Sequence, residues 1–114
     1  MLIYKIAHAQ DWAAAERAGR FDGSAHDKAD GFMHFSTGPQ LAETLRLYYA
    51  GQDNLVLAAV EAEALGDALK WEHAPSRGED FPHLFAPLQL SAVKWTHKLK
   101  RDAAGAVVLP AQAI

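Results

Sequence analysis

A histidine and two hydroxyl side chains interrupt an apolar run in residues 31–37, whose sequence is Gly-Phe-Met-His-Phe-Ser-Thr. Alternate side chains of an extended backbone point to opposite faces, so Phe32, His34 and Ser36 share one face while Thr37 lies on the other. Buried polar groups are costly unless they are hydrogen-bonded. The pattern therefore predicts either a satisfied core network, with His34 bonded to a backbone carbonyl, or the floor of a ligand cleft.

A second histidine lies among aromatic residues in the segment Phe81–Phe85, whose sequence is Phe-Pro-His-Leu-Phe. We predict that His34 and His83 lie on two walls of one site and that both contact a ligand. The alternative is that Pro82 and its aromatic neighbours only hold a loop in place.

The hydroxyl groups of Ser36 and Thr37 precede a predicted helix, where Ser and Thr commonly cap free backbone N–H groups. A helix start also favours phosphate or carboxylate, so we predict that both residues contact polar groups of a ligand. Arg77 lies in a polar segment, where a surface charge is the simplest interpretation. Its planar donor fork suits a pyrophosphate if that segment folds over the cleft, and we include Arg77 in the predicted ligand site.

Glu72 is the candidate catalytic residue, although an isolated glutamate at a strand end is commonly solvated. Its carboxylate would act as a general base or stabilise developing positive charge. Glu72, His34 and His83 would also satisfy the donor preferences of zinc. They come from distant segments without a local ligand pair, so we expect no metal. Nothing orients His34 as a base for Ser36, so a serine hydrolase is not expected.

The chain of 114 residues has the length of one domain, and we expect residues 1–114 to form a single unit. Hydrophobic residues make up 50% and charged residues 22%, and the absence of cysteine excludes disulfides and thiol chemistry. A net charge of -3 argues against double-stranded nucleic acid as a partner. The sequence shows neither a signal peptide nor an apolar run near the ~20 residues of a membrane span. We therefore expect a cytoplasmic protein.

Hydrophobic periodicity predicts the elements that must position these residues. The predicted strands cover residues 2–7, 31–37, 54–61, 68–72, 92–100 and 106–109, and the last two form a hairpin. The predicted helices run from Asp11 to Gly19 and from Pro39 to Tyr49. The continuous apolar character of residues 55–60 predicts the middle strand of a sheet. Residues 20–30 and 73–88 are predicted to be loops, which leaves an α+β fold of antiparallel strands with two main helices.

Several segments together carry a family resemblance. They are Tyr4-Lys5-Ile6, Trp12, Gly31–Thr37 with Gln40, Trp71-Glu72 and Phe81–Phe85. In these segments the chain resembles a bacterial family of unknown function, numbered 952, from Leu2 to about Leu99. The family looks like a compact relative of the ADP-ribosyltransferase fold, so the resemblance implies a small antiparallel split sheet around an NAD cleft. An early strand of that fold supplies a histidine that orients the nicotinamide-side ribose, and His34 is the similar position.

Two departures from the enzymes of that fold leave the reaction open. The transferases typically carry a catalytic glutamate on a late strand, and residues 93–100 contain no acidic residue. The arginine-histidine pattern of the RNA 2'-phosphotransferases is also missing. Neither catalytic set is carried over, and Glu72 would substitute only if the fold brings it beside His34.

The leading hypothesis is a pocket that binds NAD or another nucleotide-like small molecule, with ADP-ribosyl or phosphoribosyl transfer as its reaction. The predicted ligand contacts are His34, Ser36, Thr37, Arg77 and His83, with Glu72 stabilising charge at the anomeric carbon. One alternative is a non-catalytic module that keeps the cleft. Another is a structural or interaction protein whose histidines are packed. The sequence identifies no protein partner.

Overall fold

Ten strands and three α-helices make up residues 1–113, the part of the chain that a computed structural model describes. The strands are Leu2–His8 (β1), Arg20–Phe21 (β2), Met33–His34 (β3), Leu55–Glu61 (β4), Leu69–Ala74 (β5), Glu79–Leu84 (β6), Leu88–Gln89 (β7), Val93–Lys98 (β8), Lys100–Arg101 (β9) and Val107–Val108 (β10). The α-helices are Ala9–Ala18 (α1), Ala25–Asp30 (α2) and Leu41–Tyr48 (α3). Short 3-10 helices cover Gly38–Gln40, Ala62–Ala68, Leu90–Ala92 and Ala111–Ala113.

The first three-stranded sheet is antiparallel, in the order β1-β4-β8. Residues 55–60 of β4 are all buried, because both faces of the sheet are covered. Ala58 belongs to the hydrophobic cluster that contains Trp12 of α1. Leu57 faces the other way and belongs to the cluster that contains Leu41 of α3. The continuous apolar run therefore does form the middle strand, as predicted.

The second three-stranded sheet, in the order β3-β6-β5, carries both histidine segments. In its antiparallel register His34 lies opposite His83. A bridge between Tyr4 and Ser36 joins this sheet region to β1 through backbone hydrogen bonds of 2.8 and 2.9 Å. The strand pairs β2-β7 and β9-β10 complete the pairing. The bridge therefore holds the end of the first histidine segment beside β1.

The prediction of a loop at residues 20–30 is wrong, because this segment contains β2 and α2. Ser24 begins α2 with a capping box. Its hydroxyl accepts a hydrogen bond from the Asp27 N–H at 3.1 Å, and the Asp27 carboxylate accepts one from the Ser24 N–H at 2.9 Å. A six-residue helix is too short to show a hydrophobic period. The Ser-x-x-Asp capping pattern was therefore the one sequence signal for α2.

The prediction of a long irregular segment at residues 73–88 is also wrong. The strands β5 and β6 form a hairpin whose turn covers residues 75–78. Pro82 argued against a strand, because proline cannot donate to a ladder. Its carbonyl accepts from the Phe35 N–H at 3.0 Å, but Pro82 has no N–H for the return bond. This gap accounts for β3 ending at His34 instead of covering the whole predicted stretch.

The α+β class and the antiparallel pairing are confirmed. The strands β1 and β8 and the helix α1 match their predictions to within two residues at each end. The second predicted helix is a 3-10 turn followed by α3, and α2 is a third helix that the prediction lacked. The predicted C-terminal hairpin forms between β9, which follows β8 after one residue, and β10. Among the described residues, no helix is both long and apolar enough to cross a membrane.

Candidate functional site

A cavity of about 650 Å³ opens between β1, the segment α2–β3, α3 and the hairpin β5–β6. Small-molecule sites have volumes of ~300–1,000 Å³, so the cavity has the size of a ligand site. Four of the predicted site residues line it, namely His34, Ser36, Arg77 and His83. Aromatic and histidine side chains supply much of the remaining surface, among them Phe35, Tyr48, Tyr49, Phe81, His8 and His26.

Both ring nitrogens of His34 face carboxylates instead of a backbone carbonyl. Nδ1 lies 2.6 Å from Asp27 Oδ1, and Nε2 lies 2.9 Å from Asp30 Oδ2. A neutral imidazole has one donor and one acceptor, whereas an ionised carboxylate only accepts. Both contacts are therefore satisfied when the ring carries two protons, or when a cation takes the place of the proton on Nε2.

Behind His34, a buried ion pair joins β1 to α2. Lys5 Nζ lies 2.8 Å from Asp27 Oδ2, and the two side chains are 2% and 3% exposed. Lys5 also donates to the His34 carbonyl at 3.0 Å. Burial raises the pKa of Asp27, but the hydrogen bond with His34 and the charge of Lys5 outweigh it and hold that pKa well below its usual range. Asp27 is thus an anion that fixes the orientation of His34.

His83 lies beside His34, with 5.5 Å between the ring centroids. Its Nδ1 lies 2.7 Å from Glu72 Oε1 on β5, and the ring of Phe32 stacks on it at 4.2 Å. The His83 side chain is 13% exposed and that of Glu72 is 46% exposed. The carboxylate therefore fixes one nitrogen of a largely covered imidazole that lines the cavity.

The β5–β6 turn places Arg77 against α3. Its Nη1 donates to Thr44 Oγ1 at 3.1 Å, and its Nη2 donates to the Gln40 carbonyl at 3.4 Å. The guanidinium also lies over the ring of Phe81, 4.5 Å from the centroid. Gln40 Nε2 donates to the Asp80 carbonyl of β6 at 2.9 Å. These contacts anchor a cationic side chain at the cavity wall.

The two predicted hydroxyl residues have different surroundings. The buried Ser36 hydroxyl lies 3.1 Å from the Thr44 hydroxyl, which accepts from Arg77, so Ser36 belongs to the network that holds the arginine. Thr37 does not line the cavity. Its N–H is not free to bind a ligand, because it donates to Gln40 Oε1 at 3.0 Å at the start of the 3-10 turn.

Glu72, the predicted catalytic residue, does not line the cavity either. Strand β6 lies between β5 and β3, so His83 separates Glu72 from His34. The structure thus brings together His34, Ser36, Arg77 and His83 at the cavity, whereas Glu72 contacts His83 and does not reach the cavity. The predicted role of Glu72 at a ligand stays a prediction.

Sequence reasoning missed four residues that build the wall around His34, namely Lys5, His26, Asp27 and Asp30. Without helix α2 in view, charged residues in this segment have the character of solvated loop residues. One signal was available, because His26, Asp30 and His34 recur at intervals of four residues. Their nitrogen and oxygen ligand atoms all lie within 4.8 Å of one another, which is the kind of arrangement that holds a metal ion.

The chain is similar to solved structures of protein CC0527 from Caulobacter crescentus. The crystal structure of that protein has a TM-score of 0.92 at 50% identity, and the match covers 99% of this chain and 98% of the other. Its solution NMR structure has a TM-score of 0.82 at 52% identity, covering 92% and 90%. No curated protein matches this chain. Residues 6–96 match the family described as "Protein of unknown function (DUF952)", and the chain belongs to that family.

Proposed function

We propose that the cavity binds a small molecule that combines a flat ring with a phosphate or similar anionic group, as a nucleotide does. NAD is the first candidate, because the resemblance to a compact relative of the ADP-ribosyltransferase fold implies an NAD cleft. One observation carries the proposal: an anchored arginine without an ion-pair partner among the described residues lines an aromatic cavity.

The arginines that form ion pairs within residues 1–113 are Arg20, Arg46 and Arg101, and Arg77 is not one of them. A hydrogen bond from Arg46 lowers the pKa of Glu43, and the charge of Arg77 adds a smaller effect. Two of the five N–H donors of Arg77 hold it on α3, which leaves others for a ligand. A preset guanidinium of this kind suits bidentate contact with phosphate or carboxylate.

The remaining lining suits the ring and sugar of such a ligand. Tyr48 and Tyr49 offer aromatic surface against which a ring can stack. Asp11 and Asp30 make part of the lining acidic, so hydroxyl groups or a cationic ring find acceptors in the same cavity. NAD contains all of these groups, since it joins a pyrophosphate to two riboses, an adenine and a cationic nicotinamide.

In this proposal His34 contacts a ribose, as the resemblance implies, and Ser36 supports the polar contacts made by Arg77. Nε2 of His34 would exchange its contact with Asp30 for one with a ribose hydroxyl. Thr37 lies outside the lining and is not needed for binding.

The pair of His83 and Glu72 favours a second candidate function, which is group transfer on the bound ligand. A carboxylate at Nδ1 sets the tautomer and direction of an imidazole, so that Nε2 can take up a proton from a nucleophile. That nucleophile would then attack the anomeric carbon as nicotinamide leaves, which is ADP-ribosyl transfer. Phosphoribosyl transfer would use the same base, with pyrophosphate instead of nicotinamide leaving the anomeric carbon. Glu72 would act through His83 and not by touching the ligand.

Calorimetric titration with NAD and with ADP-ribose tests the binding proposal. Arg77→Ala should weaken binding by about 10- to 100-fold, because a hydrogen bond to a charged group contributes ~1.5–3 kcal/mol. Arg46→Ala is the matched control, since Arg46 is paired with Glu43 on the same helix and does not line the cavity. The proposal fails if neither compound binds the wild type, or if both variants bind equally well.

Release of nicotinamide from bound NAD separates an enzyme from a binding module. In an enzyme, His83→Ala should lower the rate of release far more than it lowers affinity, and Glu72→Gln should act in the same direction. Tight binding without release would favour the non-catalytic module.

A further inference from the structure

We infer that His26, Asp30 and His34 bind a divalent transition-metal ion, such as Zn²⁺, at the wall of the cavity. This site goes beyond the nucleotide proposal and does not depend on it. An ion bound to Nε2 of His34 would replace the ribose contact proposed for that atom, because Nδ1 is taken by Asp27. The sequence led us to expect no metal, and the ligand set weighed there combined His34 with His83 and Glu72. The structure assembles another set around the same histidine.

The local chain geometry brings the three residues together. His26 and Asp30 are four residues apart on α2 and therefore share a face. Gly31 ends the helix in the left-handed conformation, with φ of 84°, and turns the chain back into β3. His34 then lies next to the same helix face, where its ring stacks on that of His26 with a centroid distance of 4.7 Å.

The donor atoms are already close to a coordinating arrangement. Asp30 Oδ2 lies 2.9 Å from His34 Nε2 and 3.5 Å from His26 Nε2. Ligand atoms ~2.0–2.1 Å from a tetrahedral metal ion lie roughly 3.3 Å from each other, so Asp30 has nearly the required spacing to both rings. The His26 side chain is 75% exposed and is free to turn its nitrogen toward the ion.

A second observation, separate from the cluster itself, is the buried carboxylate behind His34. Metal-binding histidines characteristically donate their other ring N–H to a carboxylate, which fixes the tautomer and raises the basicity of the ligand nitrogen. Asp27 stands in that position, 2.6 Å from Nδ1. Its bond to Nδ1 keeps the proton there and leaves the lone pair of Nε2 for an ion.

The chemistry of the donors selects the kind of ion. Two imidazole nitrogens and one carboxylate oxygen suit Zn²⁺ and neighbouring first-row metals, whereas Ca²⁺ and Mg²⁺ prefer oxygen ligands. A cation would also resolve the contact between Nε2 of His34 and the acceptor oxygen of Asp30. All three residues line the cavity, so the coordination position that the protein leaves open would face it.

Optical titration of metal-free protein with Co²⁺ tests the site. The wild type should bind one equivalent with the visible absorption of a nitrogen-ligated Co²⁺. His26→Ala should weaken binding by more than about 10-fold, the lower end of the loss that follows removal of even an outer hydrogen-bond partner. His26 is exposed, so this variant should fold, and its thermal unfolding temperature checks that it does.

His73→Ala is the matched control, because His73 is also exposed and also lies beside an aspartate, with Nδ1 3.0 Å from Asp80. This variant should bind Co²⁺ as the wild type does. The inference is overturned if the wild type binds no Co²⁺, if His26→Ala binds equally tightly, or if His73→Ala loses the binding.

Imidazole NMR spectra with Zn²⁺ provide a reading at the residues themselves. Resonances of His26 and His34 should shift at one equivalent, while those of His73 and His97 stay in place. No nucleotide is present in either experiment, so their failure and the failure of NAD binding are separate results.

Discussion

Two walls of the cavity pair a histidine with a carboxylate, but only one of them buries the carboxylate in the protein interior. The α2–β3 wall, residues 24–34, buries its carboxylate, because Asp27 lies between His34 and Lys5. The hairpin wall, residues 69–84, leaves the carboxylate of Glu72 half in water. Each wall thus has a histidine–carboxylate pair, but the carboxylate is buried in the α2–β3 wall and solvated in the hairpin wall.

This difference separates what holds the fold from what can act on a ligand. Removing one partner of a buried ion pair leaves an uncompensated charge in a medium of low dielectric constant. An exposed pair is screened by water and contributes little to stability. Substitution of Glu72 in the hairpin wall should therefore change the chemistry at the cavity while the protein stays folded. Substitution of the buried Asp27 in the α2–β3 wall tests the fold first.

The largest expected effect is that of Asp27→Asn. This change leaves the Lys5 ammonium buried without its counter-charge and should lower the free energy of unfolding by about 3–5 kcal/mol. Urea denaturation at pH 7 measures the loss. A loss below about 1 kcal/mol would mean that the α2–β3 wall is no more dependent on its charges than the hairpin wall, and the comparison would break.

Lowering the pH should also weaken the α2–β3 wall more than the hairpin wall. The pKa of Asp27 is held below its usual range, so its contribution to stability is complete above the ordinary aspartate pKa of ~3.9 and is lost as the pH falls toward the lower folded-state value. Each pH unit in that interval should remove up to about 1.4 kcal/mol from the unfolding free energy. Urea midpoints between pH 5 and pH 3 should fall more steeply for the wild type than for Asp27→Asn. Parallel slopes would contradict this assignment.

Glu72→Gln should have a small effect on stability and a visible effect on His83. An exposed pair contributes ~0–1 kcal/mol, so the urea midpoint should shift by little. The amide can donate as well as accept, so the tautomer of His83 is no longer set by its neighbour, and nitrogen NMR of the imidazole should report the change. Loss of more than about 2 kcal/mol would place Glu72 among the fold-holding residues.

The smallest effect is expected for Asp80→Asn, which is the solvated counterpart of Asp27→Asn. The pair of Asp80 and His73 has both side chains largely exposed, so the change should stay within ~0.5 kcal/mol. The Asp80 carbonyl that accepts from Gln40 is unaffected. The same denaturation experiment measures both asparagine variants, and their difference is the energetic contrast between the two walls.

Sequence patterns predicted the strands in which each face lies entirely in the core or entirely at the surface. The run Leu55–Val60 is apolar throughout because both faces of β4 are covered. The strand β8 alternates because only one of its faces is covered. The helix α2 and the strand β6 escaped prediction for local reasons. One is too short to show a period, and the other carries Pro82 in a strand whose neighbour ends beside it.

The histidines of the site were visible in the sequence, but their partners were not. His34 and His83 are conspicuous among aromatic neighbours, and the register of β3 and β6 brings them side by side. Lys5 alternates with apolar residues in β1 and so has the position of an outward-facing lysine, yet it is buried because Asp27 compensates its charge. Such compensation is a tertiary contact between residues 22 positions apart, and no local period encodes it.

The bridge between Tyr4 and Ser36 limits how far the cavity can open. Both residues line the cavity, and their backbone amides donate to each other's carbonyls. The two sheets cannot part at this end unless both bonds break, together with the neighbouring Lys5 contact to the His34 carbonyl. Native-state hydrogen exchange should therefore show these two amides opening only with the core strands. The β5–β6 turn and the short helix α2 should exchange faster than these two amides.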